Sequence, residues 1–197
     1  MLEEPAGAIK ATWTEEDTAR WLELSNRMPA RRPKDIFYWF CRNTVGVPLE
    51  AIFIRMFKGQ TEVLLKRRPP KEIDSVYGDK LAIMGTMIRA GDVLAKDDPE
   101  LITNPFRRPL ERILEEAGIS KFRQPPENVT SRLFPGDRGP VCQLIFFCQV
   151  PDNETPAFFG EKHPSGLSSG GWYPIYNVPH DIVEEHLSLL LLVDTEI

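Results

Sequence analysis

At 197 residues, with 42% hydrophobic and 27% charged positions, the chain can bury a sizeable core and has the composition of a soluble globular protein. A formal net charge of −5 without a dominant block of one sign disfavours general nucleic-acid or membrane-surface binding. The start Met-Leu-Glu-Glu-Pro lacks the basic and apolar parts of an export signal, and the apolar run Leu187–Val193 is too short to span a bilayer, so a cytoplasmic location is expected.

Residues 13–28 keep Trp21, Leu22 and Leu24 near helical spacing; Thr14 followed by Asp17 resembles an N-terminal capping box, and Pro29 ends the segment. A second short helix is expected over 34–43, where Phe37, Trp39 and Phe40 form an aromatic cluster that would suit a homodimer contact. From Pro48 the pattern turns to strands. Leu49–Phe57 and Thr61–Lys66 flank a turn at Lys58-Gly59-Gln60 and read as a hairpin. After a polar, proline-containing loop at 69–80, a strand is expected at Leu81–Met84, then a glycine-bounded segment, Gly85–Gly91. A helix follows at roughly 105–117, closed by Gly118. Glu127–Phe134 and Val141–Val150 predict a second hairpin, and Cys142 and Cys148 read as small core residues. A long loop at 151–171 leads to a last strand, Trp172–Tyr176, and a closing helix, Asp181–Val193, with apolar Ile182, Val183, Leu187 and Leu190. His180 and His186 read as a helix start and a surface position. Mixed strands with interspersed helices predict an α/β sandwich.

The residues most suited to chemistry lie in Leu110–Ile119. Glu115 and Glu116 are adjacent on the last helical turn, and Glu111 sits one turn before Glu115. Oxygen ligands gathered in this way suit a hard cation such as Mg²⁺; a solvated acidic helix end is the plainer alternative. The basic residues Lys66-Arg67-Arg68 directly follow a hydrophobic strand, where a phosphate contact and a solvated strand end are both open.

In this order, a hairpin with a basic end, a glycine loop with an acid and a helix with paired carboxylates, the chain resembles the Nudix hydrolase family. The family signature is G-x5-E-x7-R-E-U-x-E-E-x-G-U, with U a bulky aliphatic residue. Met84–Asp92 looks like its glycine loop, with Asp92 at the first glutamate and Thr86 in place of a glycine. Ile113, Glu115, Glu116, Gly118 and Ile119 match the tail of the signature. Val63–Pro69 is similar to the family's second strand, and Gly171-Trp-Tyr-Pro-Ile to its aromatic strand. Two departures stand out. The Arg-Glu pair is swapped to Glu111-Arg112, and 18 residues separate Asp92 from Glu111, a longer stretch than in the motif.

The resemblance implies an α/β fold, a Nudix-type α/β/α sandwich with a mixed sheet, over 48–197, preceded by an N-terminal helical extension over 1–47. It further implies hydrolysis of a nucleoside diphosphate linked to another moiety, dependent on Mg²⁺ or on Mn²⁺ in its place. The metal set would be drawn from Gly85, Asp92, Glu111, Glu115 and Glu116, with Arg68 and Arg89 on the leaving diphosphate. GDP-mannose mannosyl hydrolases, a Nudix subset with an eroded signature, carry a catalytic histidine in a Glu-Gln-His sequence before the aromatic strand. Glu161-Lys162-His163 is similar, which implies a nucleotide sugar as substrate and His163 as the base that activates water; the alternative for His163 is an exposed loop residue. Arg112, a fixed cation where the family has a glutamate, favours another outcome: a catalytically impaired nucleotide-binding or regulatory protein.

Overall fold

The structure, a computed structural model, describes residues 14–26, 47–88, 92, 104, 106–136 and 139–196. The expected helix at 34–43, the Phe37–Phe40 cluster, Arg89 and the segment 93–103 lie outside the described residues. The chain divides into two compact units, Met1–Phe40 and Cys41–Ile197.

In the first unit, helix α1 spans Glu15–Asn26. Its start is the expected reciprocal cap: the Thr14 N–H donates to Asp17 Oδ2 at 2.9 Å and the Asp17 N–H to Thr14 Oγ1 at 3.1 Å. Two amide protons that a helix start leaves orphaned are thereby satisfied.

The second unit is built on one seven-stranded sheet. Strands β1 (Pro48–Phe57) and β2 (Gln60–Arg67) form the first hairpin, with Phe57 opposite Gln60. Both turn residues, Lys58 (φ 49°) and Gly59 (φ 78°), take the left-handed conformation that matches the twist of a two-residue hairpin. β3 (Leu81–Ala82) pairs with the end of β2, and β4 (Met84–Met87) runs antiparallel to the first half of β1, placing Gly85 opposite Glu50. Helix α2 covers Arg107–Ala117. Strands β5 (Glu127–Gly136) and β6 (Gly139–Gln149) form the second hairpin, and β6 lies parallel to β1. β7 (Gly170–Pro174) pairs with β2 and passes into a 3₁₀ turn, Ile175–Asn177. Helix α3 spans Glu184–Glu196.

The sheet is covered on both faces, which explains why β1 and β6 read as nearly continuous apolar runs. On one face Leu49, Ala51 and Phe53 of β1 and Phe146 and Cys148 of β6 pack with Leu110, Ile113 and Ala117 of α2. On the other, Ile52, Ile54, Val63, Leu65, Ile145 and Phe147 pack with Leu189, Leu190 and Val193 of α3. The two cores make the expected α/β/α sandwich with a mixed sheet. Burial pushes the thiol pKa of Cys148 upward, in keeping with its place in the core.

The closing helix begins later than its sequence predicts. Ile182 forms an isolated parallel bridge with Leu81: the Leu81 N–H donates to the Asp181 carbonyl (2.9 Å) and the Val183 N–H to the Leu81 carbonyl (2.8 Å). Starting at Glu184 turns Leu187 toward solvent and brings His186 inward.

Candidate functional site

Helix α2 carries the paired glutamates, and its two ends explain their placement. Its C-terminus is a Schellman motif, with the Gly118 N–H on the Glu115 carbonyl (2.9 Å) and the Ile119 N–H on the Leu114 carbonyl (3.1 Å). Gly118 is left-handed (φ 68°), and a Cβ there would lie 2.5 Å from that of Ala157, so side-chain-free backbone is required twice over. Burial of Ile113 and Ala117 turns Glu115 and Glu116 outward, and both are exposed.

Most acids of the box are held by cations of the chain itself. Arg112 forms a bidentate pair with buried Asp92, Nη1 on Oδ1 and Nη2 on Oδ2 (3.1 Å for the latter), and its Nη2 also donates to the Met87 carbonyl at 3.1 Å. Helix α2 is thereby tied to the end of β4 and to the acid that follows the glycine loop. Glu111 takes the Nε–H of Arg107 one turn earlier, at 2.8 Å. Glu116 accepts from Lys66 Nζ at 2.7 Å, which links α2 to the end of β2. Gly85 lies in the β4 pairing with β1, and a Cβ there would meet the Glu50 side chain at 3.0 Å.

The three basic residues at the end of β2 diverge because side chains alternate along a strand. Lys66 turns toward α2. Arg67 is buried: its Nε donates to the Ser168 carbonyl at 2.6 Å and its Nη1 to Asp181 Oδ2 at 2.6 Å, with the Asp79 carbonyl as a further acceptor. Arg68 grips Asp74 through Nε (3.0 Å) and Nη2 (2.7 Å), yet its side chain remains 38% exposed.

His163 is buried, not an exposed loop residue. Its Nδ1 accepts the Ser165 N–H at 3.3 Å and lies 2.7 Å from Ser165 Oγ and 3.6 Å from Asp79 Oδ1, while Nε2 is buried without a hydrogen-bond partner among the described residues. Its contacts are with Ser165 of its own loop and Asp79 of the 69–80 loop. His186, whose sequence position reads as surface, is a half-buried bridge. The Ile83 N–H donates to its Nδ1 at 3.0 Å, so the neutral ring carries its proton on Nε2, 3.3 Å from Glu50 Oε1. Burial opposes ionisation of Glu50, but His186 and Gln143, hydrogen-bonded to it, and Arg132 outweigh burial and hold its pKa below the ordinary range. This cluster was not singled out in the sequence; a lone glutamate inside the apolar run of β1 was its signal.

Among the described residues, no group of three or more His, Cys, Asp or Glu side chains is gathered to hold a metal ion. Mg²⁺ characteristically takes one or two carboxylates, with waters and ligand phosphates completing its shell. Glu115 and Glu116 are exposed carboxylates at successive helix positions, and Glu116 is paired with the Lys66 ammonium. Asp92 and Glu111 are engaged by Arg112 and Arg107.

No family model matches the chain, and no curated protein matches it in sequence. Solved structures do. A Nudix hydrolase from Alicyclobacillus acidocaldarius superposes with a TM-score of 0.53 at 15% identity, covering 75% of this chain and 90% of that one. A binary complex of the C. elegans Ap4A hydrolase matches at 0.52 and 11% identity, covering 77% of this chain and 97% of the other. Shewanella oneidensis NrtR, solved with a 27mer DNA, matches at 0.51 and 13% identity; 76% of this chain is covered but only 61% of NrtR. With the two-faced sheet, the helix between glycine loop and Gly118, and these matches together, the chain has the Nudix fold.

Proposed function

We propose that the protein is a Nudix-type hydrolase that cleaves a nucleoside diphosphate linked to another moiety, with a nucleotide sugar as the form suited to a histidine base. The observation that supports this reading is the exposed Glu115–Glu116 pair with a lysine ammonium 2.7 Å from Glu116. Carboxylates beside a lysine ammonium suit a diphosphate's need for binding and charge compensation. A Mg²⁺ or Mn²⁺ ion held by Glu115 and Glu116 would neutralise diphosphate charge. Lys66 and the exposed part of Arg68 would contact the phosphates. As a base His163 would need the tautomer with its proton on Nδ1, toward Ser165 Oγ or Asp79, in place of the Ser165 N–H that Nδ1 accepts at 3.3 Å.

A second reading, a nucleotide-binding protein without turnover, is favoured by one observation: Arg112 occupies both oxygens of Asp92, removing that acid from any metal set. A release assay over a panel of nucleotides and nucleotide sugars with Mg²⁺ or Mn²⁺ separates the two. Metal-dependent release is expected, with Glu116→Gln lowering it by at least about 100-fold. Binding without release from any member would establish the second reading. Full activity in His163→Ala would remove the histidine from the mechanism.

A further inference from the structure

The two loops that flank the basic end of β2 are stitched to successive residues of that strand. The Arg67 N–H donates to the Ser169 carbonyl of one loop and the Arg68 N–H to the Lys80 carbonyl of the other, both at 2.8 Å. Where the loops meet, His163 faces Asp79, with Nδ1 3.6 Å from Oδ1, and the His163 side chain is only 7% exposed. His163 Nε2 and Asp79 Oδ1 are both buried without a hydrogen-bond partner among the described residues. Burying polar atoms unpaired is costly, and a bond between the loops would relieve Asp79. The state of the ring keeps that bond unmade. Its Nδ1 accepts the Ser165 N–H at 3.3 Å, and an accepting nitrogen cannot donate to a carboxylate.

We propose that His163 and Asp79 form a proton-operated clasp between the 69–80 and 151–171 loops. Uptake of one proton places an N–H on Nδ1 and releases the Ser165 N–H. The 3.6 Å approach then becomes a charge-assisted hydrogen bond to Asp79, about twice as strong as a neutral one. Ser165 Oγ, 2.7 Å from Nδ1, competes for the same proton but carries no charge. Histidine is the side chain that changes charge between about pH 5 and 8, so the clasp closes at the acid end of this range and opens as pH rises. The neighbouring groups do not switch with it. Arg67 donates to the Asp79 carbonyl and is neutralised by Asp181. Burial holds the pKa of the Tyr173 phenol, close to Arg67, Asp181 and Ser168, above its ordinary value, so it stays neutral. Glu161, Lys162 and Lys80 are exposed to solvent. Proton uptake thereby sets how readily the loops part at the basic end of β2. The clasp needs no substrate and stands whether or not His163 serves as a base.

Amide hydrogen exchange on the full chain, corrected for the intrinsic pH dependence of exchange, reads the clasp directly. The His163 N–H is bonded to the Leu167 carbonyl and the Asp79 N–H to the Pro69 carbonyl, so each reports on one loop. Their protection should be about tenfold higher at about pH 5.5 than at about pH 8, with the β1 amides unchanged as the internal reference. Asp79→Asn keeps the shape and tolerates the left-handed backbone (φ 64°), and should hold both amides at the high-pH level throughout. His163→Gln, which takes up no proton in this range, should do the same. Equal protection at both pH values in the unaltered chain would overturn the clasp. A pH response retained in Asp79→Asn would overturn it too, because the proton would then act through Ser165 alone.

Discussion

Arg112 decides how negative charge is shared at the helix. Its guanidinium closes on Asp92 and on the Met87 carbonyl. The sequence shows that the Arg-Glu order is swapped; it does not show where the displaced arginine reaches, because its partner lies twenty residues away. Gly118 is the opposite case, legible from the chain alone as a helix stop. Its role is testable: Gly118→Ala must adopt φ 68° and place a Cβ against Ala157. A loss of about 2 kcal/mol or more is expected in urea unfolding. A smaller loss would mean that the Ala157 loop yields without strain.

At the level of elements, helix α2 is held by its apolar face rather than by its charges. Leu110, Ile113 and Ala117 recur at the spacing of one helical stripe and are buried against β1 and β6. Ile113→Ala should leave a cavity beneath the glutamates and cost about 2–5 kcal/mol, measured by chemical denaturation. A cost below about 1 kcal/mol would show that the helix is anchored through Arg112 and Lys66 instead. Helix α3 shows what periodicity leaves undecided. The residues before Glu184 are apolar enough to extend the helix, but Leu81 offers both its N–H and its carbonyl to this segment. Satisfying those backbone groups holds Ile182 in a bridge with Leu81 and outside the helix, which starts at Glu184.

Across the whole molecule, the cluster of Glu50, His186 and Gln143 joins β1, β6 and α3 through one buried carboxylate. The lowered pKa of Glu50 sets the sign of its effect: ionised Glu50 stabilises the fold fully above its unperturbed value of 4.5, and this stabilisation is lost as pH falls through the lower native pKa. The urea midpoint should therefore drop between about pH 5 and pH 3, and Glu50→Gln should flatten that part of the profile. An identical slope in the variant would show that Glu50 does not govern the acid response.

The sequence by itself determined both hairpins, the cap of α1, the stop at Gly118 and the Nudix-like arrangement of loop and helix, but not the strand β4, whose residues read as a glycine-bounded segment. These follow from local chemistry: apolar period, turn residues and the conformational freedom of glycine. Only the tertiary structure decided which charge meets which. Lys66 reaches Glu116 across 50 positions and His186 reaches Glu50 across 136. Such pairings depend on which strands the fold sets side by side and which face each side chain takes, and no local pattern encodes either. The candidate site is therefore legible in its residues from the chain, and in its balance of charge only from the fold.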